Sequence, residues 1–350
     1  MADKQPIQIP IEIDENNINE SALKVLEILR PSWNKDKIKF KRFNEGIMNI
    51  LTGCYLDGKF DEDVVLIRVY GKNTELTVDR QAENEVISTL SKEGLCNDLY
   101  ATLCNGTVYG FVHGVTLDQD TVKDENIAKL IAKEMVKIHS IKPKGSYPKS
   151  VFLEKLYDWI KHVPDSFDDP EVQRRFEEHI KSTKALSKEL DILRQELESM
   201  ECPIVLCHND LLLKNIIYNK QKDEVKFIDY EYAMPNFRAY DIGNHFCEYA
   251  GVDEIDYSHY PDKDYQLNWI RNYLTYWKEY NNEETDVTDK DNPFILEKVC
   301  SMYQLAHFFC GVWSLIQTKY STIDFDYLTY SIMRFHEYFK RKDEGNTVKI

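Results

Sequence analysis

No stretch of this chain has the run of about 18 apolar residues that a membrane-crossing helix needs. Met1 to Pro10 lacks the apolar core of a secretory leader, so the expected location is the cytosol. Cysteine is sparse: eight residues, none in a Cys-x-x-Cys pair and none clustered with histidine at zinc-finger spacing. A disulfide framework and a structural zinc site are thereby excluded, leaving scattered reduced thiols. Positive charge is in deficit, with 44 Lys and Arg against 60 Asp and Glu and a formal charge of -16. Such a chain is a poor general binder of nucleic acid or anionic membrane, and its field mildly attracts small cations. There is no Gly-x-Gly-x-x-Gly and no Walker A sequence, which argues against a typical protein kinase and a P-loop enzyme. Repeats and low-complexity tracts are absent as well.

What is present is a mixed chain of 350 residues, enough for one large two-lobed domain or two joined ones. Asp3 to Asn19 reads as mobile, giving a mobile N-terminus over residues 1–20. Leu23, Val25, Leu26 and Leu29 fall at helical spacing. Phe40 to Phe60 reads as two strands broken by a turn at Gly46 and closed by Asp57-Gly58. Val64–Tyr70 is a compact β-branched strand, and Arg80 to Lys92 a helix closed by Gly94. Leu99–Leu103 and Thr107–Val112 fit a hairpin turning at Asn105-Gly106. Residues 21–113 therefore form a β-rich N-terminal lobe. Residues 114–350 are mainly helical, and the stripe Leu186, Leu190, Leu193, Leu197 reads as core packing. Two short apolar runs, Ile204–Cys207 and Val225–Ile228, interrupt the helices, each followed at once by polar residues. The cleft between such lobes is the natural nucleotide site.

Those polar residues carry the chemistry. Cys207-His208-Asn209-Asp210 continues to Asn215 with His-x-Asp-x4-Asn spacing. Phosphoryl transfer needs a carboxylate beside the attacking hydroxyl, which Asp210 supplies, and oxygen ligands for Mg²⁺, which Asn215 and Asp229 supply. Glu231, two residues on, points to the same side of an extended segment and supports the metal. His208 braces the loop. Each pattern alone occurs by chance; their order, each behind a short apolar run, makes them specific. In the N-terminal lobe the Val64–Tyr70 strand carries Arg68 where a phosphate-binding lysine is usual, and arginine can do that task with a fixed charge. Glu83 shares a helical face with Val86, Ile87 and Leu90 and wants a buried partner, so it pairs with Arg68; Glu85 is the alternative. Gly46 and Asn49 sit where a phosphate-covering loop belongs.

Together with Ile228-Asp229-Tyr230-Glu231-Tyr232 and Tyr240-Asp241-Ile242-Gly243-Asn244-His245-Phe246, these motifs resemble the choline/ethanolamine kinase family, from about Phe43 to Phe339. Asp63–Gly71, Thr74-Glu75-Leu76 with Asp79-Arg80, Leu211-Leu212 after Asp210, Ala250–Glu254 and Tyr320–Asp326 look like its ethanolamine branch. The resemblance implies an α+β, two-lobed protein-kinase-like fold of the choline kinase/aminoglycoside phosphotransferase type. It implies transfer of the ATP γ-phosphate to an amino alcohol with ATP and Mg²⁺, giving phosphoethanolamine, the first step towards phosphatidylethanolamine. It also implies an adenine-side linker containing Phe111 and His113, a bracing role for Asp241, and an amine site with Glu248, Trp313 and Tyr330. Two residues depart from the pattern: Cys310 stands where the family usually has tryptophan, and Met48 where it has Ser or Thr. Losing a ring at 310 weakens a cage for a quaternary ammonium more than a site for a primary one. The competing expectations are a choline or dual-specificity kinase and, from another class, an inactive kinase-like binding protein. A homodimer is compatible with the sequence, which does not fix the oligomeric state.

Overall fold

The computed structural model describes residues 6–43, 49–141, 149–180, 182–252, 254–282 and 291–347. The chain divides into two units. The first comprises Met1–Val115 and Ile217–Glu231, the second Thr116–Ile216 and Tyr232–Ile350.

Unit 1 is built on β1 (Ile7–Gln8), α1 (Ile18–Leu29), β2 (Ile38–Phe43), β3 (Asn49–Leu56), β4 (Val64–Tyr70), α2 (Arg80–Lys92), β5 (Leu99–Thr102) and β6 (Gly106–Gly110). The strands form one sheet in the order β1-β5-β6-β4-β3-β2, antiparallel except for the parallel β1–β5 pair. β4 is flanked on both sides, which suits its β-branched run. Strand alternation then divides its side chains. Val65, Ile67 and Val69 enter the core with Ala22, Val25 and Leu26 of α1. Arg68 projects from the opposite face.

Gly106 lets β6 come this close to β4: a Cβ there would stand 2.2 Å from the Arg68 carbonyl oxygen. Within the stretch expected to be mobile, Ile7 and Gln8 pair with β5. The alternating apolar residues of that stretch feed the sheet core, where Ile9 and Ile13 are buried. The Asn105 side chain clasps Ile13 through both its backbone N–H and its carbonyl.

A short strand β7 (Val115–Thr116) leads into unit 2. That unit holds α3 (Glu125–His139), α4 (Val151–His162), α5 (Pro170–His179), α6 (Thr183–Ser199) and β8 (Ile204–Cys207). The chain returns to unit 1 through β9 (Ile216–Asn219) and β10 (Glu224–Phe227). It then completes unit 2 with β11 (Met234–Phe237), α7 (Arg238–Cys247), α8 (Lys263–Asn281), α9 (Asp291–Tyr320) and α10 (Tyr327–Thr347). Helix starts follow side-chain capping: Asp124, Ser150, Asp169 and Asp262 each accept first-turn backbone N–H groups. The α6 leucines 186, 190, 193 and 197 are all buried, as their spacing predicts. β8 pairs antiparallel with β11, and this two-stranded platform delivers Cys207 and the polar loop after it.

Candidate active site

In unit 1, Arg68 is the centre of a buried ion cluster. Its Nη1 donates to Glu83 Oε1 at 2.7 Å and lies 3.3 Å from Asp229 Oδ1, while its Nη2 donates to Glu231. The expected Arg68–Glu83 pair is therefore present. Glu85 is exposed and receives a hydrogen bond from Gln81 instead.

Glu231, expected to support a metal, has its Oε2 taken by Arg68, Arg80 and Asn49. Asp229, in left-handed backbone at φ 62, keeps its Oδ1 buried with no hydrogen-bond partner. Burial, together with the neighbouring Glu231 charge, pushes its carboxyl up to about 7 despite Arg68. A buried carboxylate oxygen with nothing donating to it suits a hard divalent cation.

Gly46 and Met48 lie outside the described residues. Asn49 opens β3, and its side-chain Oδ1 accepts from Arg80 Nη2 at 3.4 Å. Phe111 and His113 stand edge to face at 4.8 Å between ring centres. Phe43 stacks on Phe111 at 5.5 Å, and Phe60 lies 5.4 Å from it. Phe60 was not legible from the sequence: it sits in a connection with no periodic pattern.

In unit 2 the loop after β8 is held by Asp241 on α7. One oxygen accepts the His208 backbone N–H at 2.7 Å, the other the Asn209 N–H at 2.8 Å. The imidazole of His139, 3.0 Å from the first oxygen, completes the set and is itself bonded to the Tyr273 hydroxyl. Burial alone would raise this carboxyl. The bond to His139, the charge of both imidazoles and the backbone N–H groups outweigh it and hold it below the usual range.

Asn209 takes φ 66, where asparagine is tolerated, and its side-chain amide donates to the Tyr232 and Met234 carbonyls. Asn244 accepts the Leu211 N–H at 2.7 Å, and Asn215 donates to the Asp210 carbonyl at 2.9 Å. The His208, Asn209 and Leu211 amides and the Asp210 carbonyl are thus pinned, while the Asp210 side chain is half-buried. His208 is buried, consistent with bracing. Asn209 and Asn244 escaped the sequence reading as anchors because asparagines beside a motif look like surface polarity.

Glu248 and Tyr330 also come together in unit 2. Arg334, unremarked in the sequence, joins them by donating to Glu248 Oε1 at 3.0 Å and to the Tyr330 hydroxyl at 2.6 Å. Glu248 Oε2 is buried with no hydrogen-bond partner among the described residues. Burial raises the Glu248 carboxyl, and Arg334 partly offsets this. The Cys310 thiol, held up at about 12 by burial, feels both the Glu248–Arg334 pair and Asp210. Trp313 donates its indole N–H to the Tyr232 hydroxyl.

A sheet-based unit with a buried arginine–carboxylate cluster, and a helical unit presenting a pinned aspartate after a short strand, define a two-lobed, protein-kinase-like phosphotransferase. The family model described as choline/ethanolamine kinase matches residues 40–339, and the chain belongs to that family. It is 44% identical to human ethanolamine kinase 1 over 338 residues, 96% of this chain and 75% of the relative. Among solved structures, a Plasmodium vivax ethanolamine kinase superposes with a TM-score of 0.79 at 26% identity, covering 93% of this chain and 89% of that one. A Cryptosporidium parvum choline kinase shares the fold at TM-score 0.75 and 22% identity, covering 93% and 95%.

Proposed function

We propose that this kinase transfers the γ-phosphoryl group of ATP to the hydroxyl of ethanolamine, giving phosphoethanolamine and ADP, the first step towards phosphatidylethanolamine. The observation that carries the substrate is Glu248. One of its oxygens is committed to Arg334, and the other is buried and open, an acceptor for one N–H of a primary ammonium. A quaternary ammonium has no N–H to give and would call for rings, where this chain has Cys310. The near-full-length similarity to ethanolamine kinases supports the same reading.

In this reading Asp210 orients the substrate hydroxyl and takes its proton as the O–P bond forms and the bond to ADP breaks. Asp241, through the His208 and Asn209 amides, keeps Asp210 in place. Tyr330 and Trp313 flank the amine. Arg68, held by Glu83, faces the phosphates with Gly46 and Asn49, and Phe111 and His113 lie beside adenine. Asn215 and Asp229 are the groups that would hold Mg²⁺, and Asp229 Oδ1 fits such an ion. Bound there, the metal neutralises charge on the β- and γ-phosphates. We take the reaction to run in the cytoplasm, since all seven described cysteines are free thiols and no described helix is long and apolar enough to cross a membrane.

Initial rates with ethanolamine and choline at saturating ATP test the proposal. A kcat/KM at least about tenfold higher for ethanolamine is expected, the value of one well-made polar contact. A preference for choline would overturn the substrate, and turnover of neither would leave a binding protein.

A further inference from the structure

Arg80, the first residue of α2, has no part in the chemistry above, yet its guanidinium donates to four side chains of unit 1. Its Nη1 donates to Glu83 Oε2 at 2.9 Å and to Glu231 Oε2 at 3.1 Å. Its Nη2 donates to Thr74 Oγ1 at 2.9 Å and to Asn49 Oδ1 at 3.4 Å. The Tyr70 ring lies under the guanidinium at 4.1 Å and fixes its plane. One side chain thus joins the start of β3, the turn at Thr74–Leu76, α2 and the segment after β10.

We propose that Arg80 is a positioning residue that decides which carboxylate is left for the metal. This rests on the kinase reading of the site. Two guanidinium groups face three carboxylates, so one negative charge is in excess. Glu83 spends one oxygen on each arginine. Glu231 Oε2 is filled by Arg68, Arg80 and Asn49. Asp229 Oδ1 receives no hydrogen bond and lies 3.3 Å from an Arg68 nitrogen already given to Glu83. Asp229 is therefore the carboxylate left without a guanidinium of its own. Without Arg80, Glu231 would be released as a competing ligand and the phosphate-side segments at Asn49 and Thr74 would lose their tie. Lysine cannot substitute: a single ammonium can satisfy the carboxylates or the Asn49–Thr74 side, whereas the planar fork serves both.

The proposal predicts an effect in the direction opposite to ordinary damage. In R80M a second negative charge is uncovered, so Mn²⁺, followed by electron paramagnetic resonance on nucleotide-free protein, should bind about threefold tighter or better. At the same time KM for ATP should rise about tenfold with little change in KM for ethanolamine. R80M/E231Q should return Mn²⁺ affinity to the wild-type value. R80K should keep near-native Mn²⁺ affinity but not the native KM for ATP. Unchanged or weaker Mn²⁺ binding in folded R80M overturns the proposal. If R80M does not fold, R80K decides: a native KM for ATP overturns it, a raised one supports it. The metal titration needs no turnover, so it stands apart from the substrate assignment. A wild type that phosphorylates ethanolamine but binds no Mn²⁺ without nucleotide would remove this inference and leave the function intact.

Discussion

Replacing Asp241 by Asn exchanges one carboxylate oxygen for an NH₂ group and should disable the loop that carries Asp210. The carboxylate is 1% exposed and receives the His208 and Asn209 amides on separate oxygens, with His139 on one of them. An asparagine has one acceptor oxygen, so its NH₂ must face one of the two backbone N–H groups. Losing a hydrogen bond to a charged group costs about 1.5–3 kcal/mol, and leaving the opposed N–H buried and unpaired adds about 1–3 kcal/mol. The expected loss of about 2.5–6 kcal/mol is a large part of a typical folding free energy of about 5–15 kcal/mol. Urea denaturation at neutral pH measures it.

The pH dependence gives a second check. The folded carboxyl lies below its ordinary range, so its stabilisation is present above the unfolded value and is lost as pH falls through the folded one. The gap between wild type and variant should therefore close in acid. Activity should fall further than stability accounts for, because a displacement of about 1 Å at Asp210 can cost about 100-fold in rate. A D241N protein within about 0.5 kcal/mol of wild type, the usual range for neutral surface changes, and with native kcat would refute the bracing role.

Two further outcomes follow. Asp210→Asn should cut kcat by about 1,000-fold or more while nucleotide affinity, measured calorimetrically, stays within a few-fold, since only the proton acceptor is removed; undiminished turnover would refute the role assigned to Asp210. In metal-free protein, Asp229 holds its proton in the fold up to about 7 but releases it near its ordinary value when unfolded. Its contribution to stability should decline as pH rises from about 4 to about 7, visible as a falling Tm that Asp229→Asn flattens; parallel curves for the two proteins would count against the raised carboxyl.

Much was legible in local pattern. A β-branched run ended by Gly71 specified Val64–Tyr70, and an apolar face closed by Gly94 specified Arg80–Lys92; the structure has both with those bounds. Ile204–Cys207 likewise agrees residue for residue. Glu83 on an apolar face demanded a cation, and Arg68, on the strand where a phosphate-binding lysine is usual, was the candidate. In the N-terminal stretch, polar residues surround a sparse pair of inward isoleucines, Ile9 and Ile13, beside a pairing with β5 about 90 residues away that no local pattern shows.

The sequence by itself determined the family and the absence of lysine at position 68, and it nominated the residues proposed to bear the chemistry. These rest on residue type and short spacing, which survive without knowledge of distant neighbours. The tertiary structure decided partnership: that one oxygen of Glu231 is filled by two arginines and Asn49, that Asp229 and Glu248 each keep one buried oxygen with no hydrogen-bond donor, and that Asp241 seats the loop through two backbone amides. Such facts depend on side chains as far apart in sequence as Arg68 and Glu231, or Glu248 and Arg334. A charge near a motif reads the same whether it is paired or free, and only packing, by removing water, decides which it is.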